Sequence, residues 1–236
     1  MTPNSYFITG TDTGVGKTLV TALLALHLQS RGIDVGIMKP IASGCSRDHG
    51  ELVSEDARWL CEITGIEDHL DLINPIRYEE PLAPIVAARR AGLSTAETLM
   101  TIMEAYRTLC SRHEAVLVEG VGGLLVPIAE TNGRILTCVD LAEALKLPVV
   151  VVARRGLGTI NHTLLTCRIN MQPPARVCGM VFSDVTPVST TDVAAETSPM
   201  LLAEMTGLPI WGQLQYLADL DRKALGEAAA ILRIPG

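Results

Sequence analysis

The sequence predicts a three-layer α/β fold in which a mostly parallel central sheet is covered by helices on both faces. Short apolar segments alternate with helical segments of about ten residues or more along the chain. Hydrophobic residues make up 48% of the chain but aromatic residues only 3%, so the apolar content is mainly Val, Ile, Leu and Ala. Such aliphatic strands are typical of a sheet buried on both faces. The long crossovers between them indicate right-handed parallel connections.

The elements follow one another without a repeat, a low-complexity tract or a linker, and this predicts a single domain over residues 1–236. A leucine stripe predicts a first helix that ends near Gly32, and Ser94–Glu97 has the pattern of a capping box. The predicted strands are residues 6–9, 35–38, 115–119, 148–153, 176–182 and 209–214. The later predicted helices are residues 54–65, 94–112, 138–145, 159–170, 190–206 and 220–231.

Charge and composition exclude several classes of partner. The chain has 19 basic and 26 acidic residues, a net charge of −7, and no run of Lys or Arg, so we expect no nucleic-acid partner. Its apolar runs are too short to span a bilayer, and its first residues lead straight into a strand, so we expect a cytoplasmic protein without a membrane partner. The six cysteines are scattered without C-x-x-C spacing, which is typical of reduced thiols.

The first predicted strand leads into a glycine-rich loop, Gly10–Thr18, with the sequence Gly-Thr-Asp-Thr-Gly-Val-Gly-Lys-Thr. Glycines between a strand and a helix let backbone N–H groups surround phosphate oxygens, and the helix N-terminus adds positive potential. Lys17 can reach the β- and γ-phosphates, and the Thr18 hydroxyl can bind Mg²⁺. The strict motif needs glycine at position 11, which is threonine here. The loop still predicts a P-loop NTPase-type fold that binds a nucleoside triphosphate with Mg²⁺.

Three charged residues are candidates to act on the bound phosphates. Glu119 ends a predicted strand before Gly120–Gly123, and a carboxylate at this edge of a parallel sheet faces the ligand crevice, where it could hold Mg²⁺ opposite Thr18. Lys39 ends another strand at the same edge and could neutralise charge on a transferred group. Each has a structural alternative: Glu119 as an acid that ends a strand, and Lys39 as a solvated lysine. Asp56 lies in the first turn of a helix, where acids are favoured in any case.

Gly158–His162 begins the helix after strand 148–153 and supplies another helix N-terminus at the crevice. The five histidines have no metal-ligand spacing, so His162 is interpreted as a structural or hydrogen-bonding residue.

Together these segments resemble the dethiobiotin synthetases, ATP-dependent enzymes that act before the final step of biotin synthesis. The matching segments occur in the order found in that family and spread over residues 6–184. They are Gly10–Thr18, Lys39–Gly44, Asp56, Glu80–Pro84, Val118–Gly123 and Gly158–His162.

The resemblance implies a reaction in which one amine of 7,8-diaminononanoate takes up CO₂ to give a carbamate. The carbamate attacks the γ-phosphate of ATP, and the second amine closes the ureido ring and expels phosphate. The resemblance also assigns roles to residues. The implied catalytic residues are Thr13, Lys17 and Lys39, and the implied Mg²⁺ ligands are Thr18, Asp56 and Glu119. The implied nucleotide-binding residues are Asp12, Thr13, Gly14, Val15, Gly16, Lys17, Thr18, Glu119, Gly122, Ser183 and Asp184.

The resemblance further implies a homodimer with its substrate site at the subunit interface. Ser43 would hydrogen-bond the reacting groups, and Pro81 and Pro84 would line the aliphatic chain of the diamine. The helix N-terminus that contains Gly158, Thr159 and Asn161 would come from the partner subunit and meet the substrate carboxylate, as the anion preference of such a terminus suggests.

The chain departs from the family pattern mainly in the region of the base pocket. Many members have Asn-Asp where this chain has Ser183-Asp184, and the family's Gly-x-Ile-Pro segment is Gly212–Gln215 here. An asparagine amide can pair with an adenine edge through a donor and an acceptor, whereas a serine hydroxyl is shorter. We therefore expect weaker discrimination between ATP and other triphosphates. Gly14 also replaces an acidic residue found in some members.

Two other functions fit parts of the pattern. A ParA/MinD-like ATPase switch shares the predicted fold, but such proteins have an additional lysine where this chain has Thr11, and no basic or amphipathic patch is visible. A related P-loop amide-forming synthase or small-molecule kinase would use the same phosphate loop.

Overall fold

A computed structural model describes residues 4–234, which form twelve strands and nine helices. The strands are β1 (Tyr6–Gly10), β2 (Val35–Met38), β3 (Ile41–Ser43), β4 (Ser46–Asp48), β5 (Glu51–Val53), β6 (Ile76–Tyr78), β7 (Ala115–Gly123), β8 (Pro127–Thr131), β9 (Arg134–Thr137), β10 (Val149–Ala153), β11 (Val177–Ser183) and β12 (Ile210–Leu214). The helices are α1 (Lys17–Ser30), α2 (Glu55–Thr64), α3 (Leu70–Ile73), α4 (Pro84–Arg90), α5 (Thr98–Arg112), α6 (Cys138–Leu145), α7 (Thr159–Cys167), α8 (Val193–Thr206) and α9 (Arg222–Ala229).

Six strands form one parallel sheet in the order β12-β11-β10-β1-β7-β2. β1 therefore lies inside the sheet, where it pairs with β10 on one side and β7 on the other. Ile8 lies opposite Glu119, and the register shifts before Gly10 pairs with Gly123. This pairing puts the start of the glycine-rich loop beside Glu119 at the carboxyl edge of the sheet.

Helices cover both faces of this sheet. Successive residues of a strand point to opposite faces, so neighbouring residues pack into different cores. Ile8 and Leu117 pack with α1, α2 and α9 in one core, whereas Phe7 and Val118 pack with α5 and α6 in another. A smaller cluster packs the ends of β10 and β11 on α7 and α8. The predicted three-layer architecture is confirmed.

One predicted helix start is wrong. Helix α5 begins at Thr98, and its N-cap Glu97 makes no side-chain capping bond. The Ser94 hydroxyl accepts a bond from Ala96 N in a local turn instead, at 3.3 Å. The Thr95 hydroxyl accepts a 2.8 Å bond from Glu130 N, so this segment is held on β8 rather than wound into the helix. A capping box does occur at the start of α6, where Thr137 and Asp140 bond reciprocally.

Other boundaries differ by a few residues. Strand β7 continues through the glycines to Gly123, beyond the predicted end at residue 119. Helix α7 ends at Cys167, and α8 begins at Val193 because the Asp192 carboxylate caps it through Ala195 N. The last helix is confined to Arg222–Ala229. The sequence-based assignment missed α3, α4 and the three two-stranded sheets β3-β6, β4-β5 and β8-β9.

Candidate functional site

The loop between β1 and α1 is shaped by two glycines in the left-handed region. Gly14 has φ 70° and Gly16 has φ 93°, and Gly16 is the N-cap of α1. A β-carbon on Gly16 would lie 2.7 Å from Ser183 Oγ, so this position needs glycine for space as well as for conformation. The loop therefore brings its backbone to the N-terminus of α1, an arrangement suited to anions.

Lys17 is buried and turns back over this loop. Its Nζ donates a 2.9 Å hydrogen bond to the carbonyl oxygen of Asp12. Burial lowers the pKa of Lys17, although the charge of Glu119 acts in the opposite direction. The Asp12 side chain is not part of the cavity lining described below. Its carboxylate accepts a bond from Thr13 N and lies 3.7 Å from Arg154. The Lys17 ammonium thus lies at the glycine-rich loop, held by a carbonyl that phosphate oxygens could replace.

A cluster of four polar side chains lies beside the loop, although its members come from four separate parts of the chain. Lys39 Nζ is 2.7 Å from Glu119 Oε1 and 2.8 Å from Asp56 Oδ2. The Thr18 hydroxyl donates a 2.8 Å bond to the same Glu119 oxygen. Burial alone would lower the pKa of Lys39, but Glu119 and Asp56 together raise it above its ordinary value. The structure therefore brings together the lysine and the acids that the sequence singled out.

Two buried oxygens in this region have no hydrogen-bond partner among residues 4–234, namely Glu119 Oε2 and Ser43 Oγ. Over the same residues, no group of three or more His, Cys, Asp or Glu side chains is arranged to hold a metal ion. Magnesium in nucleotide sites is commonly held by one or two carboxylates together with phosphates and water. The hard oxygens of Thr18, Asp56 and Glu119 fit that kind of site, and Glu119 Oε2 is free to bind.

A cavity of about 660 Å³ connects the loop to this cluster. Its polar and glycine lining consists of Thr13, Gly14, Gly16, Lys17, Thr18, Lys39, Ser43, Asp56, Glu119, Gly120 and Gly122. Its apolar lining includes Ile41, Pro81, Pro84 and Val126, together with Val185, which lies against Gly16. The cavity can therefore hold a charged group at the loop and an aliphatic chain against its apolar side chains.

Among the predicted residues, three on the helix after β10 lie elsewhere. Gly158, with φ 92°, is the N-cap of α7, and Thr159 lines a separate cavity of about 210 Å³ with Arg154 and Arg155. Asn161 is exposed on the same helix. A single chain thus does not bring this helix N-terminus into the large cavity.

Ser183, Asp184 and Val15 also lie outside the lining of the large cavity. Ser183 is fully buried against Gly16, and the Asp184 carboxylate is bound by Arg155. Sequence reasoning missed Arg155, Val126 and Val185, because no local motif marks them. The only sequence feature that could have indicated these residues is their position close to predicted strand ends or to glycines.

All six cysteines are free, and burial raises the pKa of the Cys138 thiol to about 12. Within residues 4–234, helices are too short or too polar to cross a membrane.

Comparisons with known proteins point to one family. A family model described as an AAA domain matches residues 4–224. The ATP-dependent dethiobiotin synthetase BioD of Thermodesulfovibrio yellowstonii is 40% identical over 227 residues, which cover 95% of this chain and 93% of the relative. Its namesake in Bacillus velezensis is 36% identical over 208 residues and covers 88% of this chain and 84% of the relative.

Solved structures share the fold at low identity. A chain of the MinC:MinD cell division protein complex of Aquifex aeolicus matches with a TM-score of 0.54 and 15% identity, covering 98% of this chain and 97% of the other. The signal recognition particle 54 kDa protein of Aeropyrum pernix matches with a TM-score of 0.51 and 18% identity, covering 98% of this chain and 46% of the other.

Proposed function

We propose that this chain, which belongs to the dethiobiotin synthetase family, closes the ureido ring of dethiobiotin in an ATP-dependent reaction. The observation that carries the proposal is the Lys39–Asp56–Glu119 cluster, which shares a cavity with the phosphate loop. The polar lining of this cavity suits a triphosphate and a reacting carbamate, and its apolar lining suits the aliphatic chain of 7,8-diaminononanoate.

The reaction proceeds through two bond-forming steps after carboxylation of the diamine. One amine loses a proton and adds to CO₂, which gives a carbamate. A carbamate oxygen attacks the γ-phosphorus while the bond to the ADP oxygen breaks, and the products are a carbamic–phosphoric anhydride and ADP. The second amine attacks the carbonyl carbon, loses its proton and expels inorganic phosphate. Positioning and charge neutralisation are sufficient for a phosphoryl transfer of this type.

The lysines would supply much of this charge neutralisation. Lys17, now bonded to the Asp12 carbonyl, would turn to the β- and γ-phosphates. Lys39 would face the carbamate and the transferred phosphoryl group from the opposite wall, with its charge maintained by Glu119 and Asp56. Thr13 belongs to the phosphate loop, lines the same cavity and would hydrogen-bond the transferred group.

The oxygens of Thr18, Asp56 and Glu119 would hold Mg²⁺. When bound, Mg²⁺ would neutralise charge on the β- and γ-phosphates. Because Lys39 already binds one oxygen of each acid, the free oxygen Glu119 Oε2 is the best placed to accept the ion.

The remaining roles concern the nucleotide and the substrate. The backbone from Asp12 to Gly16, with Gly122 opposite, would surround the phosphates, while Ser183 and Asp184 would lie towards the base. The Ser43 hydroxyl, which has no bonding partner among the described residues, would bind the reacting groups, and Pro81 and Pro84 would contact the aliphatic chain.

We also propose a cytoplasmic homodimer. A partner subunit would bring its Gly158, Thr159 and Asn161 to the substrate carboxylate, since these residues lie away from the large cavity of their own chain. Six free thiols agree with a reducing compartment.

The test is the release of phosphate from ATP with Mg²⁺, bicarbonate and 7,8-diaminononanoate. We expect release to depend on the diamine and to fall by about two to three orders of magnitude in Lys17→Ala, the scale of a lost charge contact in the transition state. Lys223→Ala, which removes an exposed lysine of α9, is the matched control and should keep wild-type activity. Phosphate release that is independent of the diamine would instead favour an ATPase switch.

A further inference from the structure

A buried ion pair joins two strand ends next to the phosphate loop and has no role in the proposed reaction. Arg155 follows β10, Asp184 follows β11, and their side chains are only 16% and 2% exposed. Arg155 Nε lies 3.1 Å from both carboxylate oxygens, and Nη2 also bonds Oδ2. Both carboxylate oxygens are therefore already bound by one guanidinium.

Asp184 is also fixed through its backbone. Its N–H donates a 3.0 Å bond to the carbonyl oxygen of Leu214, the last residue of β12. With Arg155 on the other side, Asp184 joins the carboxyl ends of β10, β11 and β12.

The residues on either side of Asp184 support the phosphate loop directly. A β-carbon on Gly16 would meet Ser183 Oγ at 2.7 Å and Val185 Cγ1 at 3.3 Å, so both side chains pack closely on this glycine. Gly16 immediately precedes Lys17 and Thr18 and has the left-handed conformation that starts α1. A movement of the Asp184 segment would therefore displace the backbone that carries the phosphate-binding residues.

We propose that Arg155 is a positioning residue for the nucleotide site: by binding Asp184 it fixes Ser183 and Val185 against Gly16, and so holds the phosphate loop in the geometry that receives the triphosphate. This inference rests on the proposed function. It also changes the role expected for Asp184, whose carboxylate serves the loop through Arg155 instead of contacting the base. A buried ion pair often adds little stability relative to apolar side chains of similar size, which agrees with a role in positioning.

The test compares nucleotide binding, substrate binding and thermal stability in one set of variants. In Arg155→Met, we expect the Kd of a fluorescent ATP analogue with Mg²⁺ to rise about ten- to a hundredfold, because small displacements of binding groups have effects of this size. The KM for 7,8-diaminononanoate at saturating ATP should stay within about twofold of wild type, since Pro81 and Pro84, which are proposed to contact the diamine, belong to another segment of the chain. Arg155→Lys keeps the positive charge but cannot bind both carboxylate oxygens as a guanidinium does. Its Kd should therefore lie between those of wild type and Arg155→Met.

Two further variants separate positioning from stability. Arg155→Met/Asp184→Leu removes the unpaired buried charge, so we expect its Tm to recover while its nucleotide affinity stays low. Arg112→Met is the control for loss of an arginine–carboxylate pair away from both cavities. The half-exposed Arg112 lies 2.9 Å from Asp68, which His113 also binds. This variant should lower the Tm only slightly and leave the Kd unchanged.

The possible failures are distinguishable. Arg155 variants that bind the analogue as tightly as wild type would overturn the positioning role, as would a double variant that recovers both Tm and affinity. If Arg155→Met does not fold, the double variant decides the question. Wild-type protein that does not bind the analogue at all would overturn the proposed function itself.

Discussion

Replacing Lys39 by methionine keeps most of the side-chain volume but removes the ammonium that joins Asp56 to Glu119. The Glu119 side chain is 1% exposed and would keep only the Thr18 hydroxyl as a bonding partner. Asp56 is 56% exposed and can be solvated, so the cost arises mainly at Glu119. Removing one partner of a buried ion pair typically costs ~3–5 kcal/mol. We take the lower end, about 3 kcal/mol, because Asp56 and Thr18 lie near solvent.

The assay is urea unfolding at neutral pH, without nucleotide or Mg²⁺, in parallel with phosphate release. We expect Lys39→Met to lose about 3 kcal/mol in the free energy of unfolding, and about two to three orders of magnitude in activity. Lys39→Met/Glu119→Gln should regain most of the stability, because a neutral amide can be buried at lower cost, but it should remain inactive. Lys223→Met is the control for loss of an exposed lysine.

The reasoning would be refuted if Lys39→Met unfolded at the same urea concentration as the wild type. Recovery of activity in the double variant would equally contradict a chemical role for Lys39.

Three other changes test separate parts of the account. Asp56→Asn should raise the Mg²⁺ concentration needed for half-maximal activity by about tenfold, with little change in the KM for the diamine. An unchanged metal dependence would show that Asp56 does not bind Mg²⁺ and only favours the start of its helix. We expect the wild type to discriminate weakly between ATP, CTP, GTP and UTP, because the Ser183 hydroxyl is buried against Gly16. Ser183→Asn places a larger amide against Gly16 and should lower kcat/KM for all four triphosphates together, whereas a selective gain for ATP would show that this side chain reaches the base. Burial lowers the pKa of His113, but hydrogen bonds to Asp34 and Asp68 outweigh it and raise the pKa above its ordinary value. His113 should therefore stabilise the fold fully below a pH of about 6.5 and lose this effect as pH rises through the raised pKa. Unfolding measurements should show His113→Gln to be more destabilising at pH 6 than at pH 9, by about 1 kcal/mol.

The main sheet could be predicted because its strands are continuous aliphatic segments that lie between long helices. Val149–Ala153 is a clear example, since all five residues are buried. The three small sheets were missed because their strands have only three to five residues, too few for alternation to show, and β4 is also exposed to solvent. The false capping box at Ser94 shows the same limit: Thr95 bonds Glu130, 35 residues away, and this tertiary contact prevails over the local pattern.

The residues of the site also divide into those that a local sequence pattern predicts and those that it does not. Lys17 and Thr18 could be predicted from a local motif, and Lys39 and Glu119 from their positions at the ends of parallel strands. The pairing of Lys39 with both acids depends on side-chain geometry across 80 residues of sequence, which spacing alone does not give. Arg155 was not predicted, because its position after a strand indicates only the edge of the sheet, whereas its importance depends on where the end of β11 packs.

The measurement that tests the central proposal most directly is the mass of the product formed from 7,8-diaminononanoate, ATP, Mg²⁺ and ¹³C-bicarbonate. We expect dethiobiotin that carries one labelled carbon in its ureido carbonyl, with one ADP and one phosphate released for each molecule formed. Lys17→Ala and Lys39→Met should make almost none, while Lys223→Ala should make the wild-type amount. ATP turnover without a labelled ring, or a product that keeps the γ-phosphoryl group, would contradict the proposal.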